Sequence, residues 1–355
     1  MSLSETPVGA GYRAYTARKF LIVGGLTLAL VPALVAALSL GPAAVPASDV
    51  IRALLGLDVP RQPAIIVWNI RLPQALAAIV AGAGLAVAGA AMQSILRNPL
   101  GSPFTLGISQ AAAFGAAFAV MFLNTGTRQG ANAASVAIQD PATTALWAFV
   151  FALLASAIIT LVARLRGAAP EVLVLTGVAL GALFSAGTAF LQFFADDIQL
   201  AAIVFWTFGD TARVDWSELG LLSALTGVAC VYFLWQSWNY NALDAGDETA
   251  RGLGVRVDAL RLVGMAMASL LTAVSIAFLG IIGFVGLVVP HMVRRLIGSD
   301  HRFLLPASIA GGGLLLLVSD TAARLVLSPH VLPVSVLTAF MGAPVFILLI
   351  LRGRR

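Results

Sequence analysis

Apolar segments of about 20 residues recur along the whole chain, and they constrain its fold more than any other feature. A helix of that length crosses roughly 30 Å of hydrocarbon. Ten segments are predicted to be spanning or nearly spanning helices: residues 18–40, 64–95, 103–123, 144–165, 171–194, 216–236, 258–279, 284–297, 303–327 and 334–351. The alternating pattern that is typical of a membrane β-barrel does not occur in the sequence. The chain is therefore predicted to be an all-α membrane protein.

The composition agrees with this class. Of the 355 residues, 60% are hydrophobic and only 10% are charged, whereas soluble domains carry about 25% charged residues. The basic residues are scattered between the apolar segments, so the net charge of +5 does not indicate nucleic-acid binding. Residues 1–17 are predicted to form a cytoplasmic N-terminal tail, and residues 18–355 a single transmembrane domain.

The distribution of positive charge predicts the orientation of the chain. With both termini in the cytoplasm, 15 of the 21 lysine and arginine residues lie on the cytoplasmic side, and 6 lie at or near the outer ends of the segments. This arrangement satisfies the positive-inside rule, which the inverted orientation violates. The dense polar segment between the sixth and seventh predicted helices therefore faces the cytoplasm.

That polar segment is predicted to contain a short helix. Seven of the 18 residues at positions 244–261 are charged. We expect Asp244 to accept hydrogen bonds from the first turn, and Asp247 and Glu248 suit the positive end of the helix dipole. On composition alone, a solvated loop helix without a partner is the favoured interpretation.

The other end of the short helix has its own signals. Arg251 lies near the C-terminus, where a cation is favoured, and Gly252 or Gly254 is suited to end the helix in a left-handed conformation. Three apolar residues are expected to make a narrow contact with the rest of the protein: Leu243, Ala250 and Leu253.

Four stretches of sequence carry a family resemblance. They are "NIRLPQALAAIVAGAGLAVAGAAMQSILRNPLGSPFTLGIS" at 69–109, "ARGLGV" at 250–255, "GFVGLVVPHMVRRLIGSDHRFLLPASIAGGGLLLLVSD" at 283–320 and "LPVSVLTAFMGAPVFILLIL" at 332–351. Together they resemble the FecCD-type permease subunits of ABC importers for iron chelates and cobalamin. The resemblance extends over nearly the whole chain, from the first apolar segment to the last.

This resemblance implies an architecture and a set of partners. The fold is expected to be that of a type II ABC importer permease, with about ten transmembrane helices per subunit, in an inner membrane. A second permease copy or a close paralogue, two ATP-binding subunits and a periplasmic substrate-binding protein complete the assembly. The cargo implied is a ferric siderophore, haem or cobalamin.

The chain is expected to be a non-catalytic permease. It contains no G-x-x-x-x-G-K-[ST] phosphate loop, and its one lysine, Lys19, has no glycine-rich context. ATP and magnesium are therefore expected to bind to a partner subunit, and no cofactor is predicted in this chain.

The resemblance also assigns a role to the polar segment. In the family this loop forms cytoplasmic coupling helices, at about residues 240–257 here, which fit into a groove of the ATP-binding subunit. The predicted coupling residues are Asp244, Asp247, Glu248, Ala250, Arg251, Leu253 and Gly254.

The predicted pathway follows the fifth helix. Gly177, Gly181 and Ser185 recur every four residues along one face, and such a face usually indicates close helix packing. The resemblance implies that this helix lines the translocation pathway, where Thr188 adds a second hydroxyl group. It also places Asn98 and Leu100 near a cytoplasmic constriction, although the Asn-Pro pair there is equally consistent with a simple turn.

Two arginines are predicted at the outer mouth of the pathway. By resemblance, Arg71 and Arg324 face the periplasm and pair with carboxylates of the binding protein. Gln74 stands where the family commonly has a second arginine, which removes one such pair. Asp320 lies four residues before Arg324, so these two side chains can also pair on one helix face.

Two alternatives involve ionisable residues. An ion-coupled secondary transporter would use Asp320 as a proton relay, since a charge within a membrane is a functional candidate. A metal site would use His291, His301 and His330, but these fall on different sides of the membrane and no cysteine or carboxylate cluster joins them. No metal site is predicted.

Overall fold

The computed structural model describes residues 8–123, 125, 128–129, 136–137, 140–166, 169–328 and 330–351. Within them lie fifteen α-helices: α1 Val8–Ser39, α2 Ala47–Leu54, α3 Arg61–Ile65, α4 Leu72–Ile95, α5 Ile108–Phe122, α6 Pro141–Arg166, α7 Pro170–Phe194, α8 Asp197–Thr207, α9 Trp216–Trp235, α10 Ser237–Asp244, α11 Asp247–Gly252, α12 Val257–Leu279, α13 Val285–Ile297, α14 His301–Val326 and α15 Val334–Leu351. A π-helical turn (Ile66–Arg71) joins α3 to α4, and 3₁₀ turns occur at Pro103–Leu106 and Thr211–Arg213. Two short strands, β1 Arg128–Gln129 and β2 Val136–Ala137, pair antiparallel.

The all-α membrane class is confirmed. In the part of the chain that the structure describes, seven helical spans are long and apolar enough to cross a membrane: Tyr12–Ser39, Arg61–Ile95, Pro141–Arg166, Pro170–Phe194, Trp216–Trp235, Val257–Leu279 and His301–Val326. Each of the ten predicted segments contains a helix. α5 has only 15 residues and is shorter than the predicted third segment, whereas α13, with 13 residues, agrees with the short eighth segment.

The first helix begins earlier than predicted. α1 starts at Val8, inside the stretch that was predicted to be a tail, and continues to Ser39. The sequence at 8–17 contains no proline that would prevent the helix from extending toward the N-terminus. Residues 1–7 lie outside the described part, and the division into tail and domain stays a prediction.

The sequence prediction missed a helix between α7 and α9. α8 begins with a capping box, in which the Asp196 side chain accepts a hydrogen bond from the backbone N–H of Gln199 at 2.7 Å. The Gln199 side chain in turn accepts from the N–H of Asp196 at 3.2 Å. This pairing is a readable start signal. With 11 residues, however, α8 is too short to appear as a membrane span.

α4 forms the centre of the helix bundle. In its most apolar window 83% of the residues are buried, compared with 22% in the window of α7. α4 packs against α14, α12, α13 and α9. A helix that is apolar on all sides, as α4 is, is suited to such an interior position.

Paired glycines let α4 approach its neighbours closely. A Cβ atom added to Gly82 would overlap the carbonyl oxygen of Gly312 in α14. One added to Gly89 would overlap the carbonyl oxygen of Gly286 in α13. Backbones in contact at small residues are a main source of helix association in membranes, where lipid is as apolar as the side chains.

This packing generates a prediction about Gly89. Because the overlapping atom is a backbone atom, Gly89→Ala is expected to lower the free energy of unfolding by about 1–3 kcal/mol, as overpacking does in other cores. The measurement is thermal unfolding of the purified protein in detergent. Gly227→Ala in α9 is the matched control, because a Cβ atom there meets nothing within 4 Å. Equal unfolding midpoints for the two variants would contradict the proposed packing.

Candidate functional site

The polar groups of the bundle gather at its two ends. We call the end that holds α10 and α11 the α11 end; α4 and α9 finish there, and α12 and α14 begin there. We call the opposite end, which holds α2 and the 3₁₀ turn Thr211–Arg213, the α2 end. The residues predicted for coupling lie at the α11 end, and the two predicted docking arginines lie at the α2 end.

The predicted short helix is present as α11. Its C-terminal signal is confirmed: Gly254 has a φ of +84°, and the N–H of Val255 donates to the carbonyl of Ala250 at 2.9 Å. The predicted N-terminal cap is wrong. Gly246 precedes the helix without a side-chain cap, and Asp244 is the last residue of α10.

The predicted narrow apolar contact is confirmed only in part. Leu243 and Ala250 are fully buried, as expected. Leu253 is 69% exposed, because it follows the last turn of α11 and points away from the bundle. α11 therefore has a buried inner face and an exposed outer face that carries Glu248, Arg251 and Leu253.

Asp247 anchors the inner face of α11. Its carboxylate accepts hydrogen bonds from both terminal nitrogens of Arg261, each at 2.9 Å, and a further one from Arg97. Arg261 lies in the second turn of α12 and is 2% exposed. A bidentate arginine–carboxylate pair of this kind is directional as well as strong. Asp247 therefore fixes α11 to α12 and to the turn after α4.

Asp244 anchors α10 in a similar way. Its carboxylate lies 3.0 Å from Nε2 of His301, which is the first residue of α14. Burial raises the pKa of the Asp244 carboxyl, but the hydrogen bonds with His301 and Ser94 outweigh burial, so the pKa is lower than usual. Asn241, one turn earlier in α10, accepts from the N–H of His301 at 2.8 Å and donates to Asp300 at 2.9 Å.

The outer face of α11 has few partners of its own. Arg251 lies 3.7 Å from Asp258, and both side chains are more than half exposed. An exposed pair at this distance contributes little to stability. Glu248, Arg251 and Leu253 thus present a charged and apolar surface that is available to another protein.

The turn that was predicted at Asn98 is present. Its side-chain oxygen accepts a hydrogen bond from the N–H of Leu100 at 2.9 Å, and Gly101 N–H donates to the Asn98 carbonyl at 2.8 Å. Leu100 is 43% exposed at the α11 end. Its predicted role at a constriction stays a prediction.

The small face of the fifth predicted helix, now α7, divides into two parts. Gly177 and Gly181 pack against Leu106 and Gly107, and a Cβ atom on Gly177 would lie 2.8 Å from the Cα atom of Leu106. Further along α7, the side chains open instead on a cavity of about 240 Å³, which is lined by Phe104, Ser109, Gln110, Ala113, Ser185, Thr188, Ala189, Gln192 and Ile281. Close packing therefore explains the first half of the face, and the second half borders open space.

The predicted exposure of Arg71 at the α2 end is wrong. Its guanidinium group is buried and donates to the carbonyl groups of Leu38 at 2.6 Å, of Ser39 at 3.0 Å and of Ala43. The last carbonyl groups of a helix have no partner within that helix. Arg71 supplies donors to them at the end of α1, which is why its side chain turns inward.

Arg324 is also buried, and its predicted exposure is wrong for the same reason. It donates to the carbonyl group of Ala37 at 3.2 Å and lies 3.2 Å from the Asp320 carboxylate, which confirms the pair predicted from their spacing. Gln74 donates to Asp320 at 3.1 Å, and the hydroxyl group of Thr211 donates to it as well. Docking of a binding protein on these arginines stays a prediction.

No metal site was predicted at the three histidines. Within the described residues, no group of three or more metal-ligating side chains is present. The absence of a metal site stays a prediction. The structure places His301 between α4, α10 and α14, in contact with Ser94 and Asp244, and no sequence motif indicated this position.

Comparison with known proteins gives the family. The model of the FecCD transport family matches residues 28–352. The chain belongs to this family.

The sequences of several relatives match this FecCD-family chain along most of its length. A candidate ABC transporter permease of Methanocaldococcus jannaschii is 48% identical over 344 residues, which are 96% of this chain and 97% of that protein. The hemin transport system permease HmuU of Yersinia pestis is 38% identical over 81% of this chain and 84% of its own. The vitamin B12 import system permease BtuC of Klebsiella pneumoniae is 38% identical over 93% of each chain.

A solved structure supports the same architecture. An inward-facing candidate metal-chelate type ABC transporter is 31% identical and has a TM-score of 0.81 with this chain. The match covers 93% of this chain and 99% of that one. The predicted architecture of an ABC importer permease is thereby confirmed.

The buried pair at the α2 end of this FecCD-family protein generates a prediction. Asp320→Leu is expected to lower the free energy of unfolding by about 3–5 kcal/mol, because Arg324 then keeps a buried charge without a counterion. Thermal unfolding in detergent measures the effect. In the double variant with Arg324→Leu the loss is expected to be smaller, since no charge is left unpaired. A double variant as unstable as the sum of the two single ones would contradict this account.

Proposed function

We propose that the chain is the permease subunit of an ATP-driven importer that moves a metal chelate or cobalamin across the inner membrane. Two permease subunits, identical or closely related, enclose the pathway, and both termini of each lie in the cytoplasm. Two ATP-binding subunits bind at the α11 end, and a periplasmic substrate-binding protein delivers cargo to the α2 end. ATP and magnesium bind to the ATP-binding subunits, while this chain contributes no catalytic residue.

The observation that carries this proposal is the two-sided construction of α10 and α11. On the inner side, Asp244 and Asp247 bind His301 and Arg261 with charge-assisted hydrogen bonds. On the outer side, Glu248 and Arg251 remain exposed. An element that is fixed to the spans and exposed on its other face is suited to receive movement from a soluble partner.

The exposed surface of α7 supports a second permease subunit. Only 22% of the most apolar window of this helix is buried. Phe190 and Phe193 are 64% and 82% exposed near its end. A second subunit that covers this surface would also close the cavity beside Ser185 and Thr188 into a pathway.

The relatives support the proposed cargo class. Two of them are named for hemin and for vitamin B12, and both of those molecules are large metal macrocycles. Small side chains and isolated hydroxyl groups beside the α7 cavity would offer such a cargo few strong contacts, so that it could pass. A ferric siderophore is the third candidate, because its size and polarity suit the same kind of surface.

The ion-coupled alternative is weaker. It needs a carboxylate that gains and loses a proton along the pathway. Asp320 is held by Arg324, Gln74 and Thr211 and is 3% exposed. A carboxylate with that many donors is well suited to a structural role.

Uptake by the reconstituted complex tests the proposal. The chain is placed in vesicles with its ATP-binding subunits and its binding protein, and the accumulation of hemin, cobalamin and a ferric siderophore is measured. We expect accumulation of one of these that requires ATP hydrolysis. Uptake that follows an ion gradient without ATP would favour the secondary transporter instead.

The coupling role of α11 generates a separate prediction. Ala250→Pro removes the hydrogen bond from the N–H of Ala250 to the carbonyl of Gly246, which measures 2.9 Å, and costs about 3 kcal/mol in a helix interior. We expect the variant to remain in the membrane but to lose ATP-driven uptake and association with the ATP-binding subunit, as measured by co-purification.

Gly252→Ala is the matched control for this prediction. A Cβ atom at Gly252 meets nothing within 4 Å, and alanine favours the helix, so uptake should persist. If Ala250→Pro retains both uptake and association, α11 is not the coupling element.

A further inference from the structure

Three polar side chains from distant parts of the chain meet beneath α10. His301 Nε2 lies 2.9 Å from the hydroxyl oxygen of Ser94 in α4 and 3.0 Å from the carboxylate of Asp244 in α10. The His301 side chain is fully buried, and Ser94 is 3% exposed. This cluster is the point where α4, α10 and α14 are joined by side-chain hydrogen bonds.

The geometry identifies Nε2 of His301 as a hydrogen-bond donor. Both contacts involve Nε2, whereas Nδ1 is buried and has no hydrogen-bond partner among the described residues. An ionised carboxylate can only accept hydrogen bonds. We therefore assign a hydrogen to Nε2, which donates to Asp244. The hydroxyl group of Ser94 donates to the same carboxylate.

The surroundings hold this arrangement in place. The ring of Tyr240 lies 5.7 Å from the imidazole ring, measured between centroids. Asn241 accepts from the backbone N–H of His301 and donates to Asp300, the residue that caps α14. α10 is therefore attached to the start of α14 at two points one helical turn apart, so that tilting α10 must move α14 or break these bonds.

α4 and α14 are connected at both ends and at a point between them. At the α11 end the Ser94 hydroxyl oxygen lies 2.9 Å from Nε2 of His301, and both side chains donate to Asp244; at the α2 end Gln74 donates to Asp320. Between these points their backbones are in contact at Gly82. Two helices linked in this way are expected to move together, since packed cores do not deform continuously.

We propose that His301 is a positioning residue for transport, which passes the movement of α10 and α11 to α4 and α14 through its Nε2–H. This inference rests on the proposed function, in which an ATP-binding subunit moves α11. The pair His301–Asp244 is the link, and Ser94 extends it to α4. A histidine is suited to this position because its rigid ring fixes the distance between the helix backbone and the donor.

The experiment compares two amide substitutions at His301. In His301→Gln the side-chain nitrogen reaches the position of Nε2 and keeps a donor to Asp244. In His301→Asn it reaches only the position of Nδ1, and the hydrogen bond is lost. Each variant is reconstituted with its ATP-binding subunits and binding protein, and the ratio of cargo transported to ATP hydrolysed is measured together with the unfolding midpoint.

We expect His301→Gln to keep a ratio close to that of the wild type. His301→Asn is expected to lower the ratio about tenfold, as the loss of one hydrogen bond to a charged group would. ATP hydrolysis itself should persist in both variants, because neither touches the nucleotide. A merely structural role would change the unfolding midpoint of both variants without separating their transport ratios.

Two outcomes would overturn the inference. One is a wild-type ratio in His301→Asn, and the other is an equal loss in both variants. If His301→Asn does not reach the membrane, Asp244→Asn carries the same test, because it removes the accepting charge and should lower the ratio similarly. A wild-type complex without ATP-driven uptake would instead overturn the proposed function, so the two failures are distinguishable.

Discussion

The contact between the backbones of α4 and its neighbours is the constraint on which the rest of the structure depends. Apolar side chains gain nothing by leaving lipid for one another, so helices in a membrane associate where their backbones come close. Gly82 and Gly312 permit that approach between α4 and α14, and Gly89 and Gly286 permit it between α4 and α13. With α4 buried in the centre, its two ends are fixed in relation to α14. The two polar clusters described above lie at those ends.

Both clusters provide hydrogen-bond partners for polar groups that are buried in an apolar bundle. At the α2 end, Arg71 supplies donors to the carbonyl groups that end α1, and Arg324 does so beside Asp320. At the α11 end, Asp244 and Asp247 accept from groups on the spans. Unsatisfied polar groups in such surroundings cost free energy, so the hydrogen bonds of each cluster hold the joined helices firmly together. The cluster at the α11 end also lies next to an exposed surface, and that combination makes it suited to transmit movement.

The α7 region has a different character. Its first half packs against the Pro103–Leu106 turn through Gly177, and its second half borders a cavity beside Ser185. Much of α7 is exposed in the single chain. A surface of this kind suits both a partner subunit and a cargo that must not bind tightly. The protein thus combines two contrasting parts, a tightly packed centre around α4 and a weakly interacting face along α7.

The sequence by itself determined the membrane class, the positions of the ten apolar helices, the polar helix α11 with its glycine end, and the family. These follow from hydropathy, from the conformational freedom of glycine and from ordered motifs, all of which are local in the chain. The spacing also predicted the Asp320–Arg324 pair, but only the tertiary structure decided where the other contacts of the ionisable side chains lie. Arg71 and Arg324 were expected to be exposed but turn inward, because carbonyl groups some 30 and more than 280 residues away along the chain need donors. Asp244 was expected to cap its own helix but instead binds His301, 57 residues later. These polar side chains bond to partners that are near in space and far apart in sequence, and such partners cannot be identified from a local sequence pattern.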